Sequence, residues 1–176
     1  MCMSLITEIP NIQPDAQELY AEYLQILDSE GCDINDVVDT DIQKVVRIMD
    51  DSEYVPWLDP AVCPRTIRLI EHLKSTKINI SQVNYRCVYP SRNYTEHVDQ
   101  GRFGPITLHV PIKTNTSCYF CYPKTPWTEQ QMYHLEEGKV YMCAVNKSHT
   151  FMNAGLEERV HLHLHGDDTN RNHNAY

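Results

Sequence analysis

The hydrophobic periodicity of the chain changes near residue 77. Before it, apolar residues recur at helical spacing, and after it they occur in short runs rich in Val, Ile, Tyr and Thr, separated by Pro, Gly and Asn. The first pattern predicts helices and the second predicts strands. We therefore expect one α+β domain over residues 1–176, mainly β, with a helical N-terminal part at 1–76, a β core at 77–165 and a polar C-terminal tail at 166–176.

The N-terminal part is predicted to hold three helices that buttress one sheet. The first begins after Asp15, a suitable N-cap, with Glu18 three residues on as its capping-box partner, and it ends at Gly31. The same period over shorter stretches predicts helices at 41–49 and 64–73.

The run RVHLHLH at residues 159–165 predicts a strand with two different faces. Alternation puts Arg159 and the histidines on one face and the leucines on the other. A guanidinium that points into a barrel needs an anionic partner, and a carboxylate suits its planar fork. Three histidines along one strand span ~13 Å, too far to converge on one ion. We expect His161 to line the pocket and His163 and His165 to lie progressively nearer its rim.

His97, Asp99 and His149 are the candidate metal ligands. Residues two apart on a strand point to one face, so His97 and Asp99 can meet the same ion, while barrel closure would bring in His149. Two imidazoles and one carboxylate form the facial triad of non-haem Fe(II) oxygenases, which leaves positions open for an oxoacid and for dioxygen. The His-x-Asp pattern is weak alone, but Arg159, ten residues after His149, adds specificity by offering a site for a dicarboxylate cosubstrate.

Three segments carry a family resemblance. They read RCVYPSRNYTEHVD, GPITLHVPIKTN and YHLEEGKVYMCAVNKSHTFMNAGLEERVHLHL, and together they span roughly Gln82–His165, about half of the chain. This combination resembles the aspartyl/asparaginyl beta-hydroxylase family of Fe(II)/2-oxoglutarate-dependent oxygenases. The resemblance implies a double-stranded β-helix, a cupin-like jelly roll, for the core at 77–165.

The resemblance also implies roles for individual residues. His97, Asp99 and His149 would hold Fe(II), Arg159 would clasp the distal carboxylate of 2-oxoglutarate, and His109 would contact this cosubstrate near the metal. The family often has Arg two residues before that histidine, where this chain has Thr107, and Arg86 and Arg102 are the candidates to compensate. Some members lack the carboxylate ligand, whereas Asp99 is present here.

The function implied is hydroxylation with O2 and 2-oxoglutarate, releasing succinate and CO2. The family acts mostly on amino-acid carbons, in Asp- or Asn-type peptide side chains or in a free amino acid such as proline. Two alternatives are another cupin metalloenzyme that does not use 2-oxoglutarate and a non-catalytic metal-binding cupin module. Arg159 and His109 count against the first alternative, and the complete triad counts against the second.

Composition limits the partners and the location. The net charge is −9, and residues 1–60 carry fourteen acidic and two basic side chains, which argues against nucleic acid as the main partner. No apolar run approaches the ~20 residues of a membrane span, and no secretory signal pattern is present, so we expect a cytoplasmic protein without a membrane partner. The oligomeric state is not indicated.

The seven cysteines are expected to be reduced thiols, since their number is odd and they are scattered. Cys118 and Cys121 form a CxxC pattern within the apolar run SCYFCY. Because no second pair exists, we interpret them as buried strand residues rather than zinc ligands.

Overall fold

The structure, a computed structural model, describes residues 4–29, 36–56, 58–76, 78–99 and 106–168. These ranges contain two helices, α1 (Ala16–Asp28) and α2 (Pro64–Ser75). They also contain twelve strands: β1 (Ile6–Glu8), β2 (Val37–Asp39), β3 (Gln43–Asp50), β4 (Glu53–Tyr54), β5 (Ile78–Val88), β6 (Arg92–Asn93), β7 (Ile106–Lys113), β8 (Cys118–Tyr122), β9 (Gln131–Tyr133), β10 (Tyr141–Cys143), β11 (Thr150–Asn153) and β12 (Arg159–Asp168).

The strands form two antiparallel sheets. The larger sheet has the order β1-β10-β7-β12-β5-β3-β2, with β4 added beside β3, and the smaller has the order β6-β11-β8-β9. The long strand β12 lies in the middle of the larger sheet, between β7 and β5. This layout of two sheets with helices on one side agrees with the predicted jelly roll.

Two apolar clusters lie on opposite faces of the larger sheet. On the helix side, α1 and α2 pack on the leucines of β12 and on Tyr85 and Leu108. On the other side, Val88 and Tyr141 of the larger sheet pack against Phe120 and Phe151 of the smaller sheet. The alternation along β12 therefore sends its leucines into the helix-side core and Arg159 and the histidines into the space between the sheets.

Helix α1 begins where the sequence predicts. Asp15 is the N-cap, and its Oδ1 accepts from the backbone N–H groups of Gln17 and Glu18, each at 3.0 Å. The capping-box role of Glu18 is wrong, because its carboxylate pairs instead with Arg65 of α2 at 2.8 Å. The helix ends at Asp28, and the predicted stop, Gly31, lies outside the described residues.

The predicted helix at 41–49 is wrong, because this segment is strand β3. The register against β5 shifts between Arg47 and Met49, so that Ile48 and Met49 are both buried. The buried positions are Gln43, Val46, Ile48 and Met49, a spacing that imitates a helical stripe. The other predicted helix is confirmed as α2, two residues longer than expected.

The N-terminal part supplies strands as well as helices, since β1 and β2 stand at opposite ends of the larger sheet. At the other end of the chain, Gly166–Asp168 continue β12, and residues 169–176 of the predicted tail lie outside the described ranges. At Gly166 the register against β5 shifts, and a Cβ there would lie 2.5 Å from the carbonyl oxygen of Asn79. No helix in the described ranges is long and apolar enough to span a membrane.

Candidate active site

The chain brings His97, Asp99 and His149 together at the start of β11. His97 and His149 face each other across a two-way backbone bridge, with N–H···O distances of 3.0 and 2.9 Å. Asp99 is fixed by its own N–H, which donates to Val145 O at 3.0 Å. One donor atom from each of the three side chains lies within 4.8 Å of the others.

Backbone hydrogen bonds set the tautomers of both histidines. The Nδ1 of His97 lies 2.8 Å from Thr95 O, and the Nδ1 of His149 lies 2.9 Å from Lys147 O. A carbonyl only accepts, so each Nδ1 carries the proton and each Nε2 presents its lone pair. In His97, Nε2 lies 3.3 Å from Asp99 Oδ1, close to the ~3 Å that separates neighbouring ligands bound at ~2.1 Å from one ion.

Aromatic side chains that the sequence analysis missed hold these imidazoles in place. Phe120 stacks on His149 with ring centroids 5.2 Å apart and planes within 8°. Tyr94 meets His97 edge-on at 4.8 Å, and Phe151 stacks on Tyr94. Burial lowers the pKa of His149, so that it is neutral and able to bind a metal near neutral pH. The one sequence signal for these contacts was the alternation along the strands, which predicts that Phe120 and Phe151 point inward.

Arg159 is 3% exposed, at the start of β12. Its guanidinium lies 5.2 Å above the ring of Phe151, and burial lowers its pKa to about 10, which still leaves it charged. None of the ion pairs between described residues includes Arg159. Burial raises the pKa of the neighbouring thiols of Cys121 and Cys143, which are therefore neutral. A buried cation with this environment needs an anion.

His161 adds a second donor beside Arg159. Arg159 donates from Nη2 to His161 Nδ1 at 3.0 Å, and since a guanidinium never accepts, the neutral His161 carries its proton on Nε2. That Nε2–H is buried and has no hydrogen-bond partner in the structure. Arg159 and His161 are therefore both buried donors at the start of β12.

The remaining histidines line the same space. His109 pairs with His163 across β7 and β12, their ring centroids are 4.3 Å apart, and all four ring nitrogens are buried without partners. The prediction that His163 and His165 lie nearer the rim is wrong, because they are only 2% and 4% exposed. His165 Nδ1 lies 3.2 Å from the hydroxyl of Thr107, the residue that stands where the family often has Arg. Arg102 lies outside the described residues.

A buried asparagine shapes the loop between His149 and Arg159. Asn153 Nδ2 donates to Val88 O at 3.0 Å and to Glu157 O at 2.7 Å, and its Oδ1 accepts from Gly155 N at 3.1 Å. These bonds tie the β11–β12 connection to β5. Sequence reasoning missed Asn153, since a polar residue two positions before a glycine is typical of an ordinary turn.

The cysteines of the described segments take no part in a metal site. Five of them, Cys63, Cys87, Cys118, Cys121 and Cys143, lie in described segments, and all are buried and free. In the described part of the chain, the one group of three or more potential ligands is His97, Asp99 and His149. A separate cavity of about 380 Å³ lies at α1 and α2, lined in part by Arg65, Arg68 and His72, and shares no residue with the site.

The sequence profile of the aspartyl/asparaginyl beta-hydroxylase family matches residues 13–167. The chain belongs to this family. No curated protein sequence matches it significantly. The predicted family is thereby confirmed, and with it the enzyme class: the protein is a 2-oxoglutarate-dependent oxygenase of the hydroxylase type, whose cofactors are Fe(II), 2-oxoglutarate and O2.

Solved structures confirm the jelly-roll fold. A 2OG-Fe(II) oxygenase family oxidoreductase from Burkholderia pseudomallei matches with a TM-score of 0.65 and 13% identity, over 94% of this chain and 85% of its own. A prolyl hydroxylase from Trichoplax adhaerens, in complex with a hypoxia inducible factor peptide fragment, matches with a TM-score of 0.64 and 15% identity, over 93% of this chain and 84% of its own. A Pseudomonas putida prolyl-4-hydroxylase matches with a TM-score of 0.59 and 11% identity, over 92% of this chain and 91% of its own.

Proposed function

We propose that this hydroxylase acts on an amino-acid carbon, either in an Asp- or Asn-type peptide side chain or in a free amino acid such as proline. One observation carries the proposal: three side chains suited to a metal converge near Phe151, and the same ring lies 5.2 Å from the guanidinium of the buried Arg159, which has no carboxylate partner among the described residues. Family membership favours this function over a cupin enzyme that does not use 2-oxoglutarate and over a non-catalytic module.

The donor set fits Fe(II). His97, Asp99 and His149 offer two neutral imidazole nitrogens and one carboxylate oxygen, the ligand set of a facial triad. The backbone carbonyls that accept from both Nδ1 atoms orient the rings and increase the basicity of the ligating nitrogens. These three residues would therefore hold the metal without rearranging their tautomers.

The pocket also fits 2-oxoglutarate. Arg159 and the Nε2–H of His161 would bind its distal carboxylate, which satisfies both a buried charge and an orphaned donor. His109, whose ring nitrogens are buried and unpartnered, would complete the pocket towards the metal. Because Arg159, His161 and His109 are all buried, the part of the cosubstrate that they bind would be shielded from water.

When bound, Fe(II), 2-oxoglutarate and O2 supply an oxidant strong enough to hydroxylate a C–H bond, with succinate and CO2 as the other products. The chain's own contribution is placement. Phe120 and Tyr94 hold the ligating imidazoles, while Asn153 fixes the loop that leads to Arg159.

An exposed rim is compatible with amino-acid or peptide substrates. Val98, between the proposed ligands His97 and Asp99, is 45% exposed, and the side chains of both neighbours are partly exposed, so a substrate could reach this site from solvent. The similarity to a prolyl hydroxylase in complex with a peptide supports substrates of this kind.

The test is an anaerobic titration of the apoprotein with Fe(II) and then 2-oxoglutarate, followed through the visible charge-transfer band of the chelated oxoacid. We expect a saturable band in the wild type and its loss in His149→Ala, which removes one ligand. The exposed His72→Ala is the matched control and should keep the band.

Succinate release in the presence of amino acids and short peptides then identifies the substrate. A band that persists in His149→Ala would contradict the assignment of the ligands. Iron binding without any band in the wild type would contradict the use of 2-oxoglutarate.

A further inference from the structure

A second arginine lies in the pocket, and the roles assigned so far do not use it. Arg86 is in β5, opposite His161 of β12 and therefore on the same face of the sheet as Arg159. Arg159 is paired with Val88, two residues after Arg86 in β5. The two arginines are therefore ~7 Å apart along the strand direction.

A chain of ring contacts connects the position of Arg86 to the proposed metal site. Arg86 is opposite His161, whose ring centroid lies 5.9 Å from that of His109. The ring of His109 lies 5.2 Å from that of Phe120, and Phe120 stacks on His149. Arg86 therefore lies in the row of side chains that leads to a proposed iron ligand.

Arg86 has unused binding capacity. Its Nε is completely buried and has no hydrogen-bond partner in the structure. None of the ion pairs between described residues includes Arg86. The guanidinium therefore forms no ion pair with a described residue, an arrangement that a bound anion would stabilise.

The charges of the loaded site leave room for one more anion. Fe(II), Asp99, Arg159 and doubly charged 2-oxoglutarate cancel one another, and burial holds the pKa values of His109, His161 and His163 so low that these rings are neutral. Arg86 then adds one positive charge without a counter-ion. A substrate with one carboxylate beside the reacting carbon would balance it.

We propose that Arg86 binds a carboxylate of the substrate and so selects acidic substrates. The substrate class is then an aspartyl-type side chain or a free amino acid bound through its α-carboxylate, in preference to a neutral prolyl or asparaginyl residue within a chain. This inference rests on the proposed function, because the charge balance includes Fe(II) and 2-oxoglutarate.

The experiment uses acetate as the probe and acetamide as its neutral isostere. Each is titrated anaerobically into wild-type protein loaded with Fe(II) and 2-oxoglutarate, while the charge-transfer band is recorded. We expect a saturable change of the band with acetate and none with acetamide. In Arg86→Gln, acetate should bind at least tenfold more weakly, whereas Arg86→Lys, which keeps the charge, should retain part of the response.

Each other outcome overturns a defined claim. No acetate response in the wild type, or an equal response in Arg86→Gln, would mean that Arg86 forms no anion subsite. Weakening of 2-oxoglutarate itself by more than tenfold in Arg86→Gln would assign Arg86 to the cosubstrate instead. A wild-type protein that binds iron without any band would overturn the proposed function, and the wild-type comparison of acetate with acetamide stands even if Arg86→Gln fails to fold.

Discussion

A single hydrogen bond defines the donors at the inner end of the pocket. Because Arg159 donates to His161 Nδ1, the neutral His161 ring carries its proton on Nε2, which is buried without a partner. Neither residue has an anionic partner among the described residues. Their interaction with a carboxylate is therefore expected to be charge-assisted and strong.

Arg159→Gln should weaken 2-oxoglutarate binding by roughly 100-fold, about 3 kcal/mol, because it removes the charged partner of a buried carboxylate. Iron affinity should be unchanged, since Arg159 contacts none of the three ligands. Titration of the charge-transfer band measures the first quantity, and anaerobic Fe(II) binding measures the second. Arg92→Gln, at an exposed position of β6, is the control. Equal weakening in both variants would exclude a specific role for Arg159.

For single residues, the sequence was sufficient where a role follows from the spacing of residues in a motif. The spacing of His97, Asp99, His149 and Arg159 was sufficient to propose a triad and an anion site. In the structure the three potential ligands converge, and Phe151 contacts both His97 and Arg159. Arg86 was named only as a possible substitute for a missing arginine. Its place in the pocket depends on the register between β5 and β12, which no local pattern reveals.

Between elements, the contact of α1 with α2 depends on one buried carboxylate. Cys63 is the N-cap residue of α2 but provides no side-chain cap. Glu22 of α1 takes this role from outside the helix, accepting from Arg65 N at 2.6 Å and from the N–H and hydroxyl of Thr66, each at 2.8 Å. The carboxylate thus satisfies the free N–H groups at the start of α2.

Glu22→Ala should lower the free energy of unfolding by roughly 2–3 kcal/mol, because it leaves buried N–H groups without an acceptor. Glu18→Ala, which breaks an exposed ion pair with the same Arg65, should cost less than about 1 kcal/mol. Urea unfolding of the two variants compares them directly. Similar losses would show that Glu22 acts as an ordinary surface charge.

Elements were predictable where local signals agree. The Asp15 cap and apolar stripe of α1, and the alternation of β12, each predicted the observed element. Strand β3 was missed because its bulge breaks the period of two and because pairing with β5 and β2, remote in sequence, decides its structure. Glu22 was missed for the same reason, since its partners lie more than forty residues away.

For the whole molecule, a group of buried histidines couples stability to pH. Burial lowers the pKa of His109, His161 and His163 well below the ordinary value, and that of His165 to about 4. An unfolded chain takes up protons at these residues below pH ~6.5, and the folded chain does not. Stability is therefore complete above that pH and is lost as the pH falls towards the folded-state values.

Each such histidine should cost about 1.4 kcal/mol of unfolding free energy per pH unit below ~6.5. Urea unfolding of the metal-free protein between pH 7.5 and 5.5 measures the slope. In His163→Leu, the dependence of the unfolding free energy on pH should decrease by the contribution of one histidine. The exposed His72→Gln should leave this dependence unchanged. A slope that His163→Leu does not alter would mean that this ring takes up its proton in the folded state.

Because His97 and His149 are joined by a backbone bridge, we expect the protein to fold without iron and to bind it afterwards. The two proposed ligands are joined by peptide hydrogen bonds that need no ion, so we expect the site to be assembled already in the apoprotein. Chelators should strip the metal and leave a refillable enzyme, unlike small zinc domains that collapse without their ion. A preformed site of this kind also binds divalent ions other than iron. Because zinc and copper bind such ligands more tightly than iron does, selective loading with iron requires low free concentrations of these competitors in the cell.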